Sequence, residues 1–325
     1  MRVLSLTSGE IWESRLKAIG VPVRFVGASK SRLVRLATVI QAVRNFRPSV
    51  VQSQHFYTNG YSALAAKMCG ARSVGGVRGN GLSDLRDCGQ MFGKLCLHLP
   101  QCLAANSRAA IRNLVALKCP QAKLRYLPNV VDGTRFHPVQ LKMGQPVAIL
   151  GVGSLGSAKR FDRFLRIVGL LRHSSTLNFK AMIAGEGLLR PELEELARSQ
   201  GLCPVPVEFL GNVPDAAGLY NQVHILLLTS DHEGTPNVVL EAMACGLPVV
   251  ATGVGDVPDL VQHGKTGFVF PPTDEEAAAR HLARLIQDAS ARQSMGNRAR
   301  AFIQEHHALE SLPGHLARLY SEQLA

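Results

Sequence analysis

No apolar run in this 325-residue chain approaches the roughly 20 residues that cross a bilayer, which argues against a membrane-spanning helix. The opening Met1-Arg2-Val3-Leu4-Ser5-Leu6 reaches Glu10 too soon for a signal peptide. Seven cysteines (69, 88, 96, 102, 119, 203, 245) are scattered and odd in number, and none forms a Cys-x-x-Cys pair. That pattern excludes a disulfide scaffold and a zinc ribbon, and predicts buried thiols in a reducing cytoplasm. Aromatic residues make up 6% of the chain, and the basic half has no ladder of them for stacking bases, so nucleic-acid binding is not expected. No short internal repeat or low-complexity segment appears.

What is present is an ordinary globular composition, 46% apolar and 18% charged, long enough for two domains. Charge is uneven. Residues 1–140 hold 20 Lys/Arg against 5 Asp/Glu, whereas residues 141–325 hold 16 against 19. The basic half is expected to meet something anionic, such as a lipid headgroup surface or a phosphorylated acceptor; the plain alternative is a basic surface with nothing bound.

Short β-branched runs alternate with helical patterns, which predicts parallel α/β sheets. Strands are expected at Val3–Leu6, Val21–Val26, Ser49–Gln52, Ser73–Val77, Cys102–Ala105 and Leu124–Leu127. In the second half they fall at Val147–Val152, Lys180–Ala184, Val207–Leu210, Ile225–Leu228, Pro248–Ala251 and Gly267–Val269. Helices between them include Leu33–Asn45, Gly60–Met68, Arg108–Leu117, Arg160–Arg172, Pro191–Gln200, Asp274–Asp288 and Ala291–Glu305. Val130–Pro146 lacks periodicity and reads as a linker. The expected division is a first Rossmann-like domain over 1–140, a second over 145–305, and a C-terminal helix over 306–325 returning to the first. Doubly wound domains bind ligands at the carboxyl ends of their strands.

The segment Asp231-His232-Glu233-Gly234-Thr235-Pro236-Asn237-Val238-Val239-Leu240-Glu241 reads as a loop entering a helix. Thr235 is expected to cap the first turn, Pro236 to occupy the first helical position, and Gly246 to stop the helix. The N–H groups of Asn237, Val238 and Val239 offer an anion site. Glu241 lies roughly 8 Å along the axis from Pro236, so carboxylates flank the amides. A ligand with hydroxyls at both ends and phosphates between them fits this layout, as a nucleotide sugar does. A capped helix with two solvated glutamates is the bland alternative. Gly151-Val152-Gly153-Ser154-Leu155-Gly156-Ser157-Ala158-Lys159-Arg160 lets backbone approach a phosphate and brings an ammonium, Lys159, to a leaving diphosphate; a surface Lys-Arg pair is the alternative.

With these residues in view, the second half resembles the donor domain of the family 4 retaining glycosyltransferases of GT-B architecture. The resemblance rests on Glu-x7-Glu at Glu233 and Glu241 within residues 230–251. It extends to Gly185-Glu186-Gly187, Phe209-Leu210-Gly211, Gly264-Lys265-Thr266-Gly267 and Pro128-Asn129-Val130-Val131-Asp132 with Phe136. It implies that Glu233 meets the donor hexose, Glu241 the ribose hydroxyls, and Asn237–Val239 the diphosphate, with Gly234, Thr235 and Pro236 shaping the loop. Backbone around Leu210–Asn212, including Gly211, would bind the base. Gly253-Val254-Gly255-Asp256-Val257-Pro258-Asp259 resembles the family's Gly-Gly-x-Pro-Glu loop, so backbone at Gly255 would close over the donor. Departures are Ser154 where the family often has Arg, Arg160 where it has Gly, Asp256 for a small residue and Asp259 for Glu. Arg160 is a candidate replacement cation. Family members open with a strand, a glycine-rich loop and a long helix. Met1 here enters at what corresponds to the second strand, so the first domain is expected to lack its first strand–helix unit.

On the acceptor side, His55 at a strand end is a candidate to orient an acceptor hydroxyl, or a packing residue. Arg78 and Asn80 end another strand, with Arg78 suited to an anionic group. Helix Leu33–Asn45, ringed by Arg32, Arg35, Arg44 and Arg47, is suited either to a membrane surface or to burial with solvated arginines. The reading is transfer of a hexose from a UDP- or GDP-sugar to a glycan or lipid-linked acceptor in cell-surface polysaccharide or lipopolysaccharide synthesis. The expected place is the cytoplasm, peripheral on the inner face of the cytoplasmic membrane. Without an Asp-x-Asp motif, no metal or other cofactor is expected. A sugar-nucleotide epimerase and a non-catalytic nucleotide-sugar binder are the alternatives; a two-carboxylate glycosidase would not need the phosphate-seating amides.

Overall fold

A computed structural model describes residues 1–9, 11–139, 146–173, 177–203 and 205–324. Glu10, residues 140–145 of the expected linker and Ala325 lie outside the described residues. The chain divides into two units. One comprises Met1–Ala105, Ala110–Leu127 and the residues from Leu316 on; the other comprises Asn106–Ala109 and Pro128–His315.

The first unit runs β1 (Val3–Ser5), α1 (Ile11–Ala18), β2 (Val23–Phe25), α2 (Arg32–Phe46), β3 (Val50–Gln52), α3 (Asn59–Met68), β4 (Arg72–Val77), α4 (Leu82–Cys88), α5 (Gln90–His98), β5 (Cys102–Ala105), α6 (Arg108–Ala116) and β6 (Leu124–Tyr126). Every strand pair is parallel, but the strands form two sheets, β1–β2 and β3–β4–β5–β6. Strands β4 and β5 are almost wholly buried, whereas β1 and β3 are edge strands and only half-buried. Helix α2 turns Val39, Ala42 and Val43 inward, and Val39 and Val43 pack with Val26 and Ala65. Of its two expected settings, burial with outward arginines describes that face.

The second unit runs β7 (Val147–Val152), α7 (Phe161–His173), β8 (Phe179–Ala184), α8 (Arg190–Ser199), β9 (Val207–Gly211), α9 (Ala216–Tyr220), β10 (Ile225–Leu228), α10 (Asn237–Ala244), β11 (Val249–Thr252), α11 (Val257–Leu260), β12 (Gly267–Phe270), α12 (Glu275–Gln287) and α13 (Ala289–His306); α14 (Leu312–Leu324) follows. Its six parallel strands lie in the order β12-β11-β10-β7-β8-β9, a doubly wound arrangement that reverses between β7 and β10. Alternate residues of β7 feed two cores: Ala148 and Leu150 enter one, Val147 and Ile149 the other. Both faces of the sheet are therefore covered, which explains why β10 is an unbroken Ile-Leu-Leu-Leu run.

Residues 128–139, placed by sequence in the first domain, belong to the second unit. The reason is local pairing. Val131 forms a bridge with Ala308, its N–H donates to the His307 carbonyl at 2.8 Å, and Val131 and Phe136 pack into a second-unit core. The expected C-terminal helix is α14, which starts at Leu312, six residues after α13 ends at His306. From α14, the Tyr320 hydroxyl donates to Gln52 and Glu322 pairs with Arg125, all within the first unit.

Candidate functional site

The site lies in the second unit at the strand-order reversal, where the loops after β7 and β10 diverge. The β7 loop carries Lys159 in a single 3-10 turn, and Arg160 follows with φ +51°. The β10 loop carries Glu233. Lys159 Nζ donates to Glu233 Oε1 at 2.6 Å, and the Ser230 hydroxyl donates to the same oxygen at 2.7 Å. The two loops are tied directly. The Asp231 N–H donates to the Ala158 carbonyl at 2.9 Å, and the Thr229 hydroxyl donates to the Lys159 carbonyl at 3.1 Å.

Beside this pair, three arginines of the α7 entry interleave with three carboxylates. Arg160 donates to both oxygens of Asp162 and to Asp231. Arg163 donates to Asp231 and to the Thr229 carbonyl. Arg166 holds Asp162 and grips Glu275 through both carboxylate oxygens. The hydrogen bond from Arg160 holds the Asp162 carboxyl well below its usual range and raises the arginine's own value. Burial pushes Asp231 upward, but the bonds from Arg160 and Arg163 outweigh it and the net shift is down. Arg160, named from the sequence as a replacement phosphate cation, thus has its guanidinium committed to two carboxylates. Ser154 is exposed and contributes no charge.

Helix α10 begins one residue later than expected. Pro236 is its cap residue, with φ −73° and ψ 114°, and Asn237 is its first residue. Thr235 does not cap the turn. Its hydroxyl donates to the Asn106 carbonyl at 2.6 Å and contacts Asp256 at 3.0 Å, because a buried carboxylate there competes for the proton. The Val239 N–H is also unavailable to a ligand, since it donates to the Pro236 carbonyl at 3.1 Å. Among the described residues, the Asn237 and Val238 N–H groups meet no protein acceptor. Gly246, at φ +73°, ends the helix as its position predicts.

Glu241 lies one helical turn further along. The nearly buried Tyr220 hydroxyl donates to its Oε2 at 2.9 Å. Burial raises the Glu241 carboxyl above its usual value, and burial with the adjacent carboxylate raises the Tyr220 phenol. Tyr220 also lines a cavity of about 340 Å³ with Val152, Gly153, Ser154, Gly185, Glu186 and Asn212. Such a volume is in the range of small-molecule sites. Two glycines allow close backbone approach, Gly185 in the cavity wall and Gly255 against the β10 loop. A Cβ on Gly185 would lie 1.9 Å from the Gly153 carbonyl oxygen, and one on Gly255, at φ +58°, would lie 2.4 Å from that of Glu233. Gly211 turns beside Glu186 and Arg190, at the end of β9.

A buried polar chain supports the start of α10. Asn129 donates to the Thr235 carbonyl and to the Asn237 side chain, and accepts from Asn106. Asp256 accepts from the Ser107 hydroxyl and the Arg108 and Ala109 N–H groups, with the Thr235 hydroxyl 3.0 Å away. The sequence marked Asp256 only as a departure. Nothing in local spacing joins it to Ser107, which precedes it by 149 residues.

His55, Arg78 and Asn80 belong to the first unit, near the carboxyl ends of β3 and β4, and are not grouped with Lys159 and Glu233. The strand ends are fixed by Asn59, whose side chain accepts from the Gly76 N–H at 2.8 Å and from the Ser53 hydroxyl. His55 is exposed, and Arg78 donates to its neighbour Gln54. The Asn80 side-chain oxygen accepts from Ser83 at the entry to α4. Asp84, missed from the sequence, accepts from the Gly81 N–H at 3.0 Å and is raised by burial. Its signal was the capping pattern of Gly81 with an acid three residues on.

Two parallel α/β units, the second with a strand-order reversal, are the elements of the GT-B class. Residues 146–288 match the family described as Glycosyl transferases group 1, and residues 2–130 match the Glycosyl transferase 4-like domain. The chain belongs to the family 4 glycosyltransferases of GT-B fold. It is 35% identical over 118 residues to N-acetyl-alpha-D-glucosaminyl L-malate synthase of Bacillus anthracis, covering 36% of this chain and 31% of that protein. It is 30% identical over 221 residues to sulfoquinovosyl transferase SQD2 of Arabidopsis thaliana, covering 63% of this chain and 41% of the relative. The chain thus spans a third to two-fifths of these relatives. Anabaena HepE, crystallised in complex with UDP, superposes with a TM-score of 0.84 at 19% identity, over 99% of this chain and 92% of that one.

Proposed function

We propose that this chain transfers a hexose, with retention, from a nucleoside diphosphate sugar to a glycan or lipid-linked acceptor in the synthesis of a cell-surface polysaccharide or glycolipid. One observation carries the reading. Lys159 and Glu233 meet at 2.6 Å beside two uncommitted α10 amides, with Glu241 further along the same helix. In this reading Glu233 accepts from a hexose hydroxyl, Glu241 from ribose hydroxyls, and the Asn237 and Val238 amides with Lys159 face the diphosphate. The bond from sugar C1 to the β-phosphate oxygen breaks while the acceptor oxygen bonds to C1 on the same face. The acceptor's proton passes to the departing phosphate, and nucleoside diphosphate leaves. Lys159 and the amides stabilise the charge on that phosphate, each contact contributing about 2–4 kcal/mol. No metal or other cofactor is part of the proposal. UDP-sugars are the first donors to test, since HepE was crystallised with UDP and with UDP-glucose.

On the acceptor side, His55 and Arg78 are proposed to orient the incoming group. No helix among the described residues is long and apolar enough to cross a membrane. A peripheral site is proposed on α5, whose outer face carries Met91, Lys94, Leu95 and His98, with Met91 85% exposed. Arg32 of α2 stacks on Phe92 of the same helix at 4.7 Å, beside the exposed Leu33. Apolar side chains set among basic ones suit an anionic lipid surface.

A second reading, a non-catalytic nucleotide-sugar binder, is favoured by one observation: Arg160 is held by Asp162 and Asp231, leaving Lys159 as the cation of that loop. Incubation with UDP-glucose, other labelled UDP-sugars and membrane extract separates the two. Labelled product supports transfer; donor binding with no product supports the binder; no binding of any nucleotide sugar refutes both.

A further inference from the structure

We propose that the Lys159–Glu233 ion pair is a latch that makes the site favour a sugar-bearing nucleotide over the bare nucleoside diphosphate. This rests on the placement of the diphosphate beside Lys159 given above. The side chains of Lys159 and Glu233 are only 25% and 10% exposed. Glu233 Oε1 receives both of its protein donors, Lys159 and Ser230. A phosphate that draws Lys159 to itself leaves a nearly buried carboxylate with one neutral hydroxyl for company. A hexose can answer that loss by donating a hydroxyl to Glu233. A bare diphosphate cannot. The penalty on desolvated, unpartnered charge then falls on the sugar-free nucleotide alone.

The loops are built so that this competition is not relieved by movement. Asp231, two residues before Glu233, is gripped by Arg160 at 2.8 Å and Arg163 at 2.7 Å, and its N–H is bonded to Ala158 next to Lys159. Arg163 also holds the Thr229 carbonyl at 2.6 Å. After transfer the departing product no longer carries a sugar, so Glu233 reclaims Lys159 and the latch favours product release.

Titration calorimetry with UDP and UDP-glucose on the wild type, Glu233→Gln, Lys159→Gln and the double variant tests the latch. Glu233→Gln is expected to bind UDP about fivefold more tightly, the upper end of the measured worth of an exposed ion pair, and UDP-glucose no more tightly. With Lys159 already replaced, the same change should bring no gain. Glu233→Asp, which withdraws the carboxylate, should shift UDP binding in the same direction. UDP affinity that is unchanged or weakened in Glu233→Gln, or a gain that persists without Lys159, overturns the latch while leaving the donor site standing. A wild-type protein that binds neither nucleotide overturns the donor site and the latch together. Unfolding temperatures within a few degrees of wild type confirm that the variants are folded.

Discussion

The two units solve the same architectural problem differently. The second closes one unbroken six-stranded parallel sheet between two apolar cores. The first divides its strands between two sheets, and many of the large exposed apolar side chains fall there: Trp12, Ile19, Leu33, Val34 and Met91 among them. The contrast shows where the chain invests precision. In the second unit, Lys159 and Glu233 sit on strand-end loops bonded to one another through backbone and side chain. In the first, His55 and Arg78 sit on loops supported mainly through Asn59.

The sharpest test of this contrast is activity. Glu233→Ala should reduce transfer from a nucleotide sugar by a factor of about 100 or more with the fold intact, and Lys159→Ala by a similar factor. His55→Ala should cost far less; a loss as large from His55 would place the demanding chemistry in the first unit instead. Initial rates with labelled donor decide between them. Next in size, Asp256→Ala removes the acceptor shared by the Ser107 hydroxyl and the Arg108 and Ala109 N–H groups and should destabilise the second unit by roughly 2–4 kcal/mol, read from denaturant midpoints. A change below half a kcal/mol would show that these donors find water instead.

A smaller effect should appear in pH dependence, with opposite signs for two groups of acids. Asp162 and Asp231 are shifted below their ordinary values by their arginines, so their stabilisation is present above the unfolded carboxyl range and is lost as pH falls through the folded values. Glu241 is shifted up by burial, so its protonated form is the one folding favours, and that contribution fades as pH rises through its folded value. Glu241→Gln should therefore hold or slightly raise the melting temperature at neutral pH while weakening nucleotide binding. A lower melting temperature would mean that Tyr220 outweighs the burial cost. The smallest signal is in hydrogen exchange: β1 and β2 amides should exchange well before those of β7 and β10.

Much of the fold was legible because parallel strands buried on both faces announce themselves as apolar runs, as in Ile225–Leu228 and Val147–Val152. Helices α4 and α5 were not, because Gly89 and Gly93 interrupt the apolar period; Gly89 takes φ +77° to break one helix from the next. Within the site, Glu233, Glu241 and Lys159 were readable from motif chemistry. Tyr220 and Arg163 were not, because their partners are set by the fold rather than by local spacing. Thr235 misled for a related reason. Its position fits a helix cap, yet its hydroxyl donates to the Asn106 carbonyl, 129 residues earlier, with Asp256 alongside.

Asp256 has one further consequence, for the order in which the molecule assembles. The segment Ser107–Ala109 receives its carboxylate from a residue nearly 150 positions later. During synthesis the entry to α6 therefore waits, with its amide protons facing water, until β11 and the turn after it have emerged. A long-range closure of this kind is slow to find and late to form. A fragment ending near residue 140 would lack the carboxylate to which Ser107, Arg108 and Ala109 donate, so the residues that open α6 find their anchor only when a much later stretch of the chain is made.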